Sequence, residues 1–420
     1  MFPRRAITFA AGLVLASLAA AGPASALTSP TQPKTGPGAP LDATGEVAKR
    51  AVGKPGDVTY VYHMASAPEK ARSVVVFLHA WGASNPIVYG AWIDHLARRG
   101  HLVLFPGFQE VGSTKPNEAT DRAATLIKDA LAELASDPQA KPDTAQVYYL
   151  GHSAGAGVAV NLAANARTLG LEPPKLVFVT MPGGIAKDEA SKGIQLADLS
   201  QIDAATNLVA MSGDQNAIAA DRTSRRILRE ASAIQPARKL YMRSGSDDHG
   251  FPQLTATLAA PAGPKDGYGS DTIKLASEPA PPPQTDAKGR RVRVTTQPAK
   301  PRGPWSAEAQ LSGEQRVLLQ QLQRNVVDTL DWMAYWRIFD MLVSASASGQ
   351  DLTALKADPT FLDMGRWSDG WPVRRLAAET PKAETAAPSG RAASTGVAPA
   401  TIQSKQPVTR RRFDAKRPRR

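Results

Sequence analysis

The run Val147-Tyr148-Tyr149-Leu150-Gly151-His152-Ser153-Ala154-Gly155-Ala156-Gly157 has the residue types and spacing to do chemistry. An apolar stretch leads into G-x-S-x-G, and the small and apolar residues Val158, Ala159, Val160 and Leu162 follow. That pattern reads as strand, sharp turn and helix, and in that context the turn presents one hydroxyl, that of Ser153, at the end of a sheet. Glycines flank the serine because a Cβ at either place would crowd the strand or the helix. A serine hydroxyl is a weak nucleophile until a base takes its proton, and the base needs a third group to orient it. The chain has six histidines: His63, His79, His95, His101, His152 and His249. After a strand–elbow–helix, the partners follow in the order Ser, Asp or Glu, His. Only His249 lies beyond Ser153, so elimination makes it the base. Asp214, at the end of the apolar run 207–211, is the expected acid, with Asp247 and Asp248 as substitutes. The chemistry these three would support is acyl transfer: Ser153 attacks a carbonyl, His249 moves the proton, and Asp214 steadies the imidazolium.

With those residues in view, the chain resembles a secreted bacterial α/β-hydrolase of the lipase, cutinase and carboxylesterase branch. The likeness spans residues 57–375. It rests on four places: His79-Ala80-Trp81-Gly82-Ala83 after a strand, the Ser153 elbow, Asp214 and His249. The resemblance implies an α/β fold, the α/β-hydrolase fold, with a mostly parallel central sheet, helices on both faces and a minimal lid. It implies an exported serine hydrolase that cleaves carboxylic esters through an acyl-enzyme, with a small-molecule, lipid or polyester substrate and no cofactor or metal. The oxyanion of the intermediate would be held by the backbone N–H of Ala154, at the helix start. By likeness to cutinase-type loops the second donor is the Trp81 N–H; His79-Ala80 replaces the usual Pro-Gly there, so Ala80 stays open as the alternative. The Trp81 ring would also bind substrate. Two rivals remain: a peptidase or amidase of the same fold, and a non-catalytic, envelope-associated binding protein.

The other candidates have plainer readings. His79 is expected to bond loop backbone, and His152 to pack. Gly155-x-Gly157 is not continued as G-x-G-x-x-G, so it does not suggest nucleotide binding. No His/Asp/Glu cluster has metal spacing.

The elements that must position the serine are legible as apolar runs. Residues 57–62 alternate, as an opening strand does. Residues 73–78 are continuously apolar, as a strand buried on both faces is. Further strands are read at 101–106, 147–150, 175–180, 207–211 and 239–243. Helices are read at 91–99, 118–136 and after Ser153, and strands alternating with helices predict a doubly covered parallel sheet. Residues 181–206 are too few for a lid domain. Trp332, Trp336, Phe339 and Val343 fall on one helical face, a core stripe within one or two helices over 311–347.

The ends read differently. Arg4-Arg5, the apolar residues 6–21 and Ala24-Ser25-Ala26 make a secretory signal peptide over 1–26, so the mature chain is expected in the periplasm or outside the cell. Residues 27–56 read as a linker and 57–377 as the catalytic domain. A Pro-rich insertion is expected at 262–312 and a disordered basic tail at 378–420. The chain has no cysteine, hence no disulfide. Its net charge of +12 is concentrated in the tail, where Lys405, Arg410, Arg411, Arg412, Lys416, Arg417, Arg419 and Arg420 stand against Asp414. Such a tail offers contact with an anionic surface; no nucleic-acid-binding module accompanies it. The sequence carries no signal for an oligomeric state.

Overall fold

Continuous apolar runs become the parallel strands of a nine-stranded sheet in the computed structural model. The structure describes residues 27–66, 68, 70–109, 114–215, 217–276 and 313–381, all within the unit Met1–Ala383. The signal-peptide reading, the 277–312 part of the insertion and the tail beyond 381 lie outside the described residues. The strands are β1 (Val47–Lys54), β2 (Asp57–Met64), β3 (Arg72–Leu78), β4 (Leu102–Pro106), β5 (Pro142–His152), β6 (Leu176–Thr180), β7 (Asn207–Ser212), β8 (Lys239–Arg243) and β9 (Ala377–Glu379). They lie in the order β1-β2-β4-β3-β5-β6-β7-β8-β9. Strands β3 to β8 pair in parallel, while β2 and β9 run antiparallel to their neighbours.

Period-two alternation divides the core into two layers. Val75 and Phe77 of β3 face one side, in the layer that also holds α1 (Gly90–Arg98), α5 (Gly313–Arg324) and α6 (Arg337–Ala347). Val74, Val76 and Leu78 face the other, against α2 (Ala119–Leu134) and α3 (Ala154–Ala164). All five are fully buried, and burying side chains of this size stabilises by about 1.5–3 kcal/mol each. The expected aromatic stripe is in place: Trp336, Phe339 and Val343 are buried and Trp332 is partly so. It is not one regular helix, because Leu330–Trp336 is wound as a π-helix that runs into α6.

Three boundaries differ from the expectation. The linker assigned to 27–56 ends in β1, whose pairing with β2 closes at Lys54 and Asp57 around Pro55-Gly56. The rest of that segment is pinned to the body: Phe251 N–H donates to Leu27 O (2.9 Å), Thr329 Oγ1 to Pro30 O (2.6 Å) and Gly38 N–H to Asp340 Oδ2 (2.8 Å). The insertion assigned to 262–312 begins inside the core, where Ala262, Tyr268, Ile273 and Leu275 are buried; the Tyr62 hydroxyl donates to Tyr268 O at 2.8 Å. Ala378 and Glu379, assigned to the tail, belong to β9. Helix α4 (Ile218–Glu230) covers β7, burying Ala220, Ser224, Ile227 and Leu228 on one face. Residues 181–206 hold only an isolated bridge between Ile185 and Ile194 and one 3-10 turn, Leu199–Gln201. No helix among the described residues is long and apolar enough to cross a membrane.

Candidate active site

Ser153 stands between β5 and α3 with φ 53° and ψ −116°. A non-glycine residue at positive φ is uncommon, and such strain of about 1–3 kcal/mol persists only where the surroundings impose it. Here they do. Ser153 N–H donates to Thr180 O (3.1 Å), and Gly183 N–H donates to Ser153 O (3.2 Å). A Cβ on Gly155 would lie 2.1 Å from Leu78 O, and one on Gly151 would lie 2.6 Å from Gly155 O. The two glycines therefore let the turn sit directly against β3. Gly157 admits Ile185 and Ile194, which a Cβ would meet at 3.0 and 3.1 Å. The hydroxyl is half-buried and has no hydrogen-bond partner among the described residues. Beside it runs Gly183-Gly184, a feature the sequence reading passed over; a Cβ on Gly183 would lie 3.4 Å from Ser153 Oγ.

The loop after β3 is held by polar contacts. Ala80 N–H donates to the Tyr89 hydroxyl at 3.1 Å, Gly82 N–H to Gln109 Oε1, and Ala83 N–H to Ala80 O at 2.9 Å. Of the alternatives left open for the second oxyanion donor, Ala80 is thereby engaged. The N–H groups of Trp81 and of Ala154 have no partner among the described residues. The Trp81 ring, partly buried, packs against both core layers at the end of the sheet.

Both histidines expected to be structural are buried. His79 bonds Ala80 O through Nδ1 (2.8 Å) and stacks on Phe108 with ring centres 4.1 Å apart. His152 Nδ1 lies 2.8 Å from the Tyr89 hydroxyl, and its Nε2 lies 2.9 Å from Leu258 O. A carbonyl only accepts, so Nε2 carries the proton and Nδ1 accepts from Tyr89. The result is a relay from Ala80 N–H through Tyr89 and His152 to Leu258. Burial pulls both imidazoles down to about 4, so they are neutral at pH 7.

The remaining expected residues follow successive parallel strands, Asp214 after β7 and His249 after β8, and each is hydrogen-bonded to another group. Asp214 accepts from Ser246 N–H (2.9 Å), from Ser246 Oγ (2.6 Å) and from Arg374 Nη1 (3.1 Å). His249 pairs instead with Asp369, Nε2 to Oδ2 at 2.8 Å, and stacks on Trp371 with ring centres 5.4 Å apart. No hydrogen bond joins His249 to Asp214 or to Ser153 in this conformation. The substitutes are also engaged elsewhere or unlinked: Asp247 takes the N–H groups of His249 (3.0 Å) and Arg374 (2.8 Å), and no hydrogen bond joins Asp248 to the His249 ring. Asp369 is held below the usual carboxylate range by the Trp371 N–H and then by His249. Sequence reasoning did not point to Asp369, because an acid more than a hundred residues downstream of His249 gives no local signal.

No family model and no curated protein matches this chain.

Proposed function

We propose that the protein is a serine hydrolase of the α/β-hydrolase kind that cleaves carboxylic esters outside the cytoplasm. The observation that carries the reading is Ser153: a serine at positive φ between a parallel strand and a helix, with glycines fitted on both sides. Strain of this sort concentrates where a group must be presented for chemistry. Support comes also from the carboxyl edge of the parallel sheet, where Ser153 follows β5 and His249 follows β8.

In this reading the hydroxyl of Ser153 adds to the ester carbonyl. The developing oxyanion is met by the N–H groups of Ala154, at the positive end of α3, and Trp81. His249 takes the serine proton and gives it to the departing alcohol; water then repeats the sequence on the acyl-enzyme. Asp369 is the carboxylate that bonds His249 here. With Nε2–H given to Asp369, Nδ1 is the ring nitrogen left to accept a proton. The reading therefore includes a movement: residues 244–250 turn His249 towards Ser153 when substrate binds, since catalytic hydrogen bonds tighten in the substrate complex.

One observation favours a non-catalytic binding role instead. His249 is stacked on the exposed Trp371, and the exposed Phe251 lies two residues on. Purified protein assayed with p-nitrophenyl acyl esters and with peptide anilides separates the readings. Ester turnover that Ser153→Ala abolishes supports the proposal, preferred cleavage of anilides points to an amidase, and no turnover of either supports the binding role.

A further inference from the structure

The structure holds a cavity on the face of the sheet covered by α2 and α3, towards the amino ends of the strands. It has a volume of about 610 Å³. Its origin is in the sheet. Ser73 pairs with Asp143, but the next residue of β3, Val74, pairs with Val147, so Thr144, Ala145 and Gln146 bulge out of the ladder. A bulge of this kind bends a strand away from its partner. Val74, Val76, Ile127, Leu131 and Leu171 supply apolar walls. Tyr149 also lines the cavity; it is 1% exposed, and its hydroxyl has no hydrogen-bond partner among the described residues. Burial raises its pKa, so the group stays a donor. The hydroxyl opens onto the cavity and is free to donate to an acceptor that enters it.

The rim carries both signs of charge. Lys128 and Arg167 stand there with Glu172, and Arg167 is paired with Asp203 at 2.8 Å. With Arg167 neutralised, Lys128 and Glu172 oppose each other in sign at the rim, and the apolar walls set the character of the interior. Tyr149 precedes Ser153 by four residues, about 13 Å along an extended strand, so this cavity is separate from the elbow and does not depend on the chemistry there.

We propose that this cavity binds a neutral, mainly apolar small molecule carrying one oxygen acceptor, a ketone or ester carbonyl, which takes the Tyr149 hydroxyl proton in a hydrogen bond. The test is calorimetric titration of the full-length Ser153→Ala protein with 2-decanone, with decanoate as the charged comparator. Saturable one-site binding of 2-decanone is expected, with decanoate at least tenfold weaker. Tyr149→Phe should weaken 2-decanone about fivefold, the effect of one neutral hydrogen bond. Leu131→Trp and Thr144→Trp should each block the cavity and abolish binding. Thr144 is exposed, so its variant decides the matter if Leu131→Trp does not fold. The proposal is overturned by any of four results: no saturable binding, binding unchanged in the tryptophan variants, equal affinity in Tyr149→Phe, or decanoate bound as tightly as the ketone.

Discussion

Asp369 Oδ2 lies 2.8 Å from His249 Nε2, while Asp214, the acid expected from its place after β7, is bonded to Ser246 and Arg374. The carboxylate that orients the imidazole is therefore on the 365–371 segment. Asp369→Asn should lower kcat for ester hydrolysis by about 10²–10⁴, because an amide no longer stabilises the imidazolium or fixes the tautomer. Asp214→Asn should keep kcat within about threefold and cost about 1 kcal/mol of stability through its weakened bonds to Ser246 and Arg374. Steady-state kinetics and urea denaturation on both variants check this; the reverse ranking would restore Asp214 as the acid.

The elbow glycines are fixed by contact as well as by conformation. Gly155→Ala places a Cβ 2.1 Å from Leu78 O, where only backbone can give way. A loss of about 3 kcal/mol or more is expected. Gly157→Ala meets the movable side chains of Ile185 and Ile194 at 3.0 and 3.1 Å and should cost about 1 kcal/mol. Denaturation midpoints in urea give the comparison.

Tyr89 joins the loop after β3 to the elbow through His152. Tyr89→Phe keeps the ring and leaves both Ala80 N–H and His152 Nδ1 without that partner. Each buried orphan costs about 1–3 kcal/mol. The variant should lose about 2–6 kcal/mol of stability and also lower kcat, because the loop bearing the Trp81 N–H loses one of its anchors. A fall in stability alone would remove the link between the relay and the oxyanion site.

The buried ionisable groups oppose one another in pH. His79, His101 and His152 are drawn down to about 4 by burial. The stability they contribute as neutral rings is complete above their unfolded pKa of about 6.5 and is lost as pH falls through about 4. Asp331 runs the other way. Burial, and then the neighbouring Asp328, raise it well above its usual range, and its Oδ1 has no partner. Its protonated form fits the fold, so stability is lost as pH rises past about 3.8, where the unfolded carboxyl ionises. Asp331→Asn should therefore stabilise the protein at pH 7 and do so much less at pH 4. Urea denaturation at both pH values tests the sign.

The parallel strands were readable because burial on both faces leaves uninterrupted apolar runs such as 73–78 and 207–211. Strand β1 was hidden because it is half-exposed, with Lys49, Arg50 and Lys54 breaking the pattern; the clue was Pro55-Gly56 between two extended runs. Helix α4 also left a trace, with apolar or small residues at 220, 224, 227 and 228. Strand β9 left none, being three residues long and mostly exposed. At the site, Ser153 was legible because strand, turn and helix are contiguous in sequence. The partner of His249 was not, since Asp369 reaches it only through the fold.

The central claim is that Ser153 is an activated nucleophile. The most direct measurement is to treat the purified protein with a fluorophosphonate and locate the adduct by mass spectrometry of its peptides. A single stoichiometric adduct on Ser153 that disappears in His249→Ala is expected. A folded protein that forms no adduct, or forms it on another residue, would contradict it.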